Sequence, residues 1–258
     1  MMKIRTNDFK RAIAAGRQQI GLWVSLASPF TAEIVAGAGF DWLLFDGEHS
    51  PNDPPLMLPQ LQAAAAFPVA PVVRPAWNDK VLIKRYLDIG AQSLLIPYVQ
   101  TVEEAEAAVA AIRYPPHGAR GVASTTRSAQ YARIPDYFKV AEQELCLLVQ
   151  IETRQGLDNL EAIARVPGVD GVFIGPADLA AGLGHLGDQM HPEVQSAIED
   201  AIKRTRACGK PAGILTPDEA TARKYISWGS VFTAVGLDIA ILARETEKLA
   251  AKFKNPTP

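Results

Sequence analysis

Eight short runs of β-type apolar residues recur along this chain, and between them lie stretches with the composition and spacing of helices. The runs fall at 21–26, 42–46, 69–74, 93–96, 145–151, 171–174, 211–215 and 231–235. Helical patterns rich in Ala, Leu, Glu and Lys occur at, among others, 31–38, 78–89, 102–113, 156–165 and 192–207. Strands that are apolar throughout need cover on both faces, and a helix in each crossover supplies it, which selects a parallel sheet. Eight such units in 258 residues suit a sheet that closes on itself, because barrels of this kind commonly take about 250 residues. The expected fold is therefore α/β, a single-domain (β/α)8 TIM barrel over residues 1–258.

Gly39, Gly90, Gly168, Gly209 and Gly229 each follow a helical stretch, where a left-handed residue is expected to end the helix. An extra helical pattern at 7–15 precedes the first strand and is expected to plug the bottom of the barrel. The segment 114–131 is too polar and too punctuated for a simple turn, and long loops in compact domains are usually functional. Cys146 and Cys208 each lie in or beside an apolar segment and are expected to be unpaired thiols.

In such a barrel the active site lies at the C-terminal ends of the strands. The second run ends in Asp46-Gly47-Glu48-His49, the third in Arg74, the fifth in Gln150-Ile151-Glu152, and the sixth runs into Gly175-Pro176-Ala177-Asp178. Glu152 and Asp178 come from neighbouring strands and can converge. Two hard oxygen ligands without thiolates or a histidine cluster suit Mg²⁺ or Mn²⁺, with Co²⁺ a further candidate. The alternative is that Glu152 caps the helix containing Gly156 and Asp178 pairs with an arginine.

Arg74 closes an apolar run, so its guanidinium enters the mouth and needs an anion there. It either pairs with Glu48 or Asp46, or donates to an enolate or carboxylate oxygen of a substrate. His49, three residues past Asp46, is placed for a carboxylate to fix its tautomer and raise its basicity, or is an ordinary loop residue. His117, His185 and His191 are expected in loops or at helix starts. Gly175 to Asp178 lead into a helix whose first N–H groups suit a substrate carboxylate. Lys80, Lys84, Lys203 and Lys210 fall on helices or before a strand, which argues against Schiff-base chemistry.

Three pieces together, Phe45-Asp-Gly-Glu-His-Ser-Pro-Asn52, Gln150-Ile-Glu-Thr153 and Gly171-Val-Phe-Ile-Gly-Pro-Ala-Asp-Leu179, resemble the HpcH/HpaI aldolase family. The resemblance runs from about Asn7 to Phe253 and is strongest to the class II pyruvate aldolases of aromatic catabolism. It implies reversible cleavage of 4-hydroxy-2-oxo acids, such as 4-hydroxy-2-oxoheptanedioate, to pyruvate and an aldehyde. It also implies a divalent metal on Glu152 and Asp178, with Arg74 on the keto oxygen and a His49–Asp46 acid/base dyad. Gln150 and the backbone of Ala177 and Asp178 would line the pyruvate site, and Asp88 would reach a neighbouring subunit's site. The implied assembly is a homohexamer, a trimer of dimers.

One stretch departs from the family pattern. Ala123-Ser124 stand where Gly-Ser is usual, and the following segment is about one residue shorter, in a loop expected to face the aldehyde end of the substrate. Rival substrates within the family are 2-keto-3-deoxy sugar acids and, in its citrate-lyase branch, coenzyme A thioesters.

Charge narrows the partners further. With 26 Lys and Arg against 28 Asp and Glu, net −2, the chain has no polyelectrolyte surface, which excludes nucleic acid. No apolar stretch approaches the ~18 residues of a membrane span, and the opening Met-Met-Lys-Ile-Arg-Thr-Asn-Asp lacks a leader pattern. A cytoplasmic enzyme of small keto acids and aldehydes, away from membranes, is the expectation.

Overall fold

The computed structural model describes residues 2–254. Eight parallel strands, β1 (Gln19–Val24), β2 (Trp42–Asp46), β3 (Ala70–Arg74), β4 (Ser93–Ile96), β5 (Cys146–Ile151), β6 (Gly171–Ile174), β7 (Ala212–Leu215) and β8 (Ser230–Leu237), close in sequence order into a barrel. The helices are α1 (Asp8–Ala14), α2 (Pro29–Ala36), α3 (Pro54–Ala64), α4 (Lys80–Asp88), α5 (Val102–Ile112), α6 (Tyr137–Val140), α7 (Arg154–Asp158), α8 (Leu160–Ala164), α9 (Pro176–Gly182), α10 (Pro192–Ala207), α11 (Glu219–Trp228) and α12 (Asp238–Lys254). The chain is a (β/α)8 barrel, and the five glycines expected to end helices all have positive φ.

Strand alternation divides the core into two shells. Leu43, Phe45, Val73, Leu147, Val149 and Ile151 point outward into the layer shared with the helices. Trp42, Leu44, Val72, Cys146, Leu148 and Phe173 point inward and fill the barrel. Two glycines make room for the largest rings there. A Cβ on Gly21 would lie 2.3 Å from the Trp42 ring, and one on Gly213 would lie 2.1 Å from Phe232. The same period of two carries Asp46, Arg74, Gln150 and Glu152 to the inner side at the C-terminal rim, because each continues its strand's inward series.

The extra helix α1 does close the bottom. Phe9 and Ile13 are buried in the inner shell, with Phe9 5.7 Å from Trp42 and 5.9 Å from Phe232, ring centre to ring centre. Asn7 caps α1, and its side chain also reaches Ser93 and the Glu144 carbonyl, while Arg11 grips the Glu144 carboxylate through two bonds of 2.7 and 2.8 Å. The helix expected at 156–165 is instead two short ones. Asn159 interrupts it because its amide donates to the Gln100 carbonyl, while Arg204 takes the Leu157 carbonyl.

The segment 114–131 does not border the strand mouth of its own chain. α5 has already carried the chain to the N-terminal end of the barrel, and there Arg127 donates to the Ile89 carbonyl beyond α4. Ala129, Ile134, Tyr137 and Ala141 form a small separate core with Ile4 and Tyr114. A cavity of about 770 Å³ at this end is lined by the 2–9 segment, the starts of β3 and β4, and Arg127 to Gln130. The two thiols are free, and burial pushes that of Cys146 well up.

Candidate active site

The inward groups at the strand ends build one polar cluster. Arg74, at the end of β3, is 6% exposed and grips Asp46 of the adjacent strand end through Nε (2.9 Å) and Nη2 (2.7 Å). Its Nη1 stands 2.7 Å from Glu48 Oε2, yet that oxygen has no aligned hydrogen bond. The guanidinium lies 5.0 Å over the Trp23 ring, whose indole N–H donates to Asp46 at 3.2 Å. Burial pushes the Asp46 carboxyl up, but the bonds from Arg74, the Glu48 N–H and Trp23 outweigh it and leave it below the ordinary range. Asp46 is therefore the fixed anion that orients Arg74.

On the other side of the mouth, Glu152 follows β5 and is 1% exposed. Gln150 donates its amide to Glu152 Oε2, and the Tyr98 N–H donates to Oε1 at 2.9 Å. Because a carboxylate only accepts, the Gln150 amide orientation is set, and its carbonyl Oε1 is left buried without a partner. Burial, with Glu48 and Asp178 nearby, raises the Glu152 carboxyl to about 7 against the bonds from Gln150 and Tyr98. Glu48 is likewise raised to about 7, by burial first, with Arg74 opposing and Asp46 and Asp178 adding to the rise. Asp178, in the first turn of α9, accepts the Tyr98 hydroxyl at 2.7 Å. The approach to Glu152 requires Gly175, where an added Cβ would lie 2.4 Å from Glu152 Oε2.

Four carboxylates, Asp46, Glu48, Glu152 and Asp178, thus line one mouth in which Arg74 contacts only Asp46 and Glu48, and burial first, then the neighbouring carboxylates, raises Glu48 and Glu152. A divalent cation among hard oxygen donors is the group this cluster fits. Glu152 does not cap the following helix, a role taken by Thr153, and the observed partner of Asp178 is a tyrosine.

One expectation needs correction. His49 and Asp46 do not meet through the imidazole. The Asp46 carboxylate is occupied by Arg74, Trp23 and the backbone N–H groups of Glu48 and His49, so the His49 ring turns outward, 63% exposed, with Nε2 3.8 Å from Glu48. Asp88 lies at the C-terminal end of α4, the end remote from the strand mouth, where it pairs with buried Arg120 at 3.3 Å. Within one chain it is not part of the cluster. Ala177 sits in the first turn of α9, whose N-cap Gly175 offers no side-chain cap.

Sequence reasoning missed Trp23 and Tyr98. Trp23 is hidden in an apolar run, and Tyr98 stands two residues past the end of β4, outside the run at 93–96.

Comparison with known proteins bears on this arrangement. The family described as HpcH/HpaI aldolase/citrate lyase matches residues 19–244. A pyruvate aldolase of Rhizobium etli is 65% identical over 252 residues, covering 98% of this chain and 99% of that protein. A 4-hydroxy-2-oxo-heptane-1,7-dioate aldolase of Klebsiella pneumoniae is 58% identical over 248 residues, with 96% and 94% covered. The crystal structure of an HpcH/HpaI aldolase/citrate lyase family protein from Burkholderia cenocepacia superposes with a TM-score of 0.94 at 40% identity, covering 97% of this chain and all of that one.

Proposed function

The chain belongs to the HpcH/HpaI aldolase/citrate lyase family, and we propose that it cleaves 4-hydroxy-2-oxo acids, 4-hydroxy-2-oxoheptanedioate among them, reversibly to pyruvate and an aldehyde. It is an aldolase, a carbon–carbon lyase. The observation that carries the assignment of roles is the convergence of Glu152 and Asp178 opposite a single fixed guanidinium at the strand ends. Among the described residues no strand carries a lysine, which argues against a Schiff base on a strand end as the electron sink.

Glu152 and Asp178 are the proposed ligands of a divalent ion, Mg²⁺ or Mn²⁺. When bound, such an ion supplies a Lewis acid for the 2-keto group and for the charge that gathers on its oxygen. Breaking C3–C4 leaves an electron pair on C3, which delocalises to the C2 oxygen as an enolate. Arg74, clamped by Asp46 through Nε and Nη2, has Nη1 beside Glu48 at the mouth, and Nη1 is the proposed donor to that oxygen. Gln150 and the backbone of Ala177 and Asp178 line the carboxylate side of pyruvate.

The proton of the 4-hydroxyl goes to His49 as the aldehyde carbonyl forms, and its return from the imidazolium to C3 of the enolate completes pyruvate. Glu48, the carboxylate beside the ring, takes over the orienting part first expected of Asp46. His49→Ala should lower cleavage by about 10²–10⁴-fold while Mn²⁺ affinity stays near that of the wild type. Loss of the metal in this variant would make His49 a ligand and end its assignment as base. Pyruvate release from a panel of 4-hydroxy-2-oxo acids differing in length and terminal charge tests the substrate class. Turnover confined to sugar-derived acids would contradict it.

The proposed assembly is a homohexamer, a trimer of dimers. In support, α12 is a 17-residue helix in which only Asp238 is buried, with Ile241, Leu242, Leu249 and Phe253 exposed. A second copy of this chain is the expected cover for that apolar face. Light scattering should give a multiple of the chain mass, and Leu249→Glu with Phe253→Glu should reduce it. A monomeric wild type would contradict the proposal. No helix among the described residues is long and apolar enough to cross a membrane, and the two free thiols suit a reducing cytoplasm.

A further inference from the structure

We infer that Tyr98 is the positioning residue for both carboxylates of the proposed metal site, an inference that rests on Glu152 and Asp178 being its ligands. One residue touches both: its backbone N–H donates to Glu152 Oε1 at 2.9 Å, and its hydroxyl donates to Asp178 Oδ1 at 2.7 Å. The two ligands arrive from different strands, with no bond between them, and Tyr98 is the bridge.

The backbone shows that this placement is specified. Tyr98 has φ of 52°, a left-handed conformation that side chains with a Cβ rarely adopt. In this conformation the chain leaving β4 turns its N–H back to Glu152 while the ring extends across the mouth to α9. Trp77, following β3, supports the ring from one side at 5.5 Å between centres, tilted by 31°.

With Oδ1 of Asp178 bound to the hydroxyl, Oδ2 remains for a cation. Without the hydroxyl, Asp178 is free to rotate toward the uncapped N–H groups of its own helix. Partners that orient a ligand in this way typically contribute about 10–100-fold in metal affinity.

Direct Mn²⁺ titration of the full chain, followed by electron paramagnetic resonance, tests the inference. Tyr98→Phe keeps the backbone, the stacking on Trp77 and the N–H bond to Glu152, and removes only the hydroxyl. Its Mn²⁺ dissociation constant should rise about 10–100-fold, with metal-free melting close to the wild type and cleavage largely restored at saturating Mn²⁺. Trp77→Leu, which leaves the hydroxyl in place, should bind Mn²⁺ within a few-fold of the wild type. Wild-type affinity in Tyr98→Phe, or equal losses in Tyr98→Phe and Trp77→Leu, would overturn the role of the hydroxyl. Asp178→Asn separates this from the underlying reading: undiminished Mn²⁺ binding there would mean that the metal site itself is misplaced.

Discussion

Glu152→Gln and Asp178→Asn should each reduce pyruvate formation by at least about 10³-fold, the largest loss expected of any single change in this protein. Both substitutions are nearly isosteric, and neither removes a buried apolar group, so melting of the metal-free protein should stay near that of the wild type. Glu152→Gln should if anything raise it, because a carboxyl held near 7 is one whose ionised form the fold disfavours. The same raised value sets a pH dependence for metal binding. A cation binds the ionised carboxylate, so Mn²⁺ affinity should fall as pH drops below about 7 and level off above it. Isothermal titration across pH 5.5 to 8.5 checks this, and a flat profile would remove Glu152 from the ligand set.

Arg74→Lys is the second large effect. The ammonium keeps the charge but cannot bridge both oxygens of Asp46 and still present a fixed donor toward the enolate oxygen. If the loss resembles that of an oxyanion donor, about 2–4 kcal/mol, the efficiency of cleavage falls by about 30- to 1000-fold. Asp46→Asn should fall in the same direction, through a guanidinium that is no longer clamped. Steady-state pyruvate release measures both. Arg74→Lys matching the wild type would show that the guanidinium merely neutralises its neighbours.

Strand periodicity explains how much of this site was legible in the sequence. The run Trp42-Leu-Leu-Phe-Asp46 has one parity facing the barrel, and the same parity places Arg74, Gln150 and Glu152 at the mouth. Their identity as polar residues closing apolar runs was enough to find them. Tyr98 escaped because its position depends on one left-handed residue beyond a strand, a conformation with no periodic signature. The His49 ring was misassigned for another reason. Asp46 is close in sequence, but three stronger donors compete for its two oxygens, and only the folded geometry shows that Arg74 and Trp23 prevail.

Asp88 and the segment 114–131 illustrate a related limit. The segment looks functional by its composition and Asp88 through the family resemblance, which implies a place in a neighbouring subunit's site, yet within one chain α4 and α5 deliver both to the end of the barrel remote from the mouth. Direction along a crossover helix decides which end a residue reaches, and composition does not encode it. α12 poses the opposite problem. Its spacing is that of an ordinary amphipathic outer helix, but in one chain its apolar side meets almost nothing.

In the proposed chemistry this barrel breaks a carbon–carbon bond with the help of a divalent ion held at Glu152 and Asp178. Pyruvate release from 4-hydroxy-2-oxoheptanedioate, followed before chelation, after exhaustive chelation and after Mn²⁺ or Mg²⁺ is returned, tests it most directly. Activity should disappear with the ion and return with it in the wild type, and should not return in Glu152→Gln or Asp178→Asn. Full pyruvate release from the chelated wild type would contradict the account.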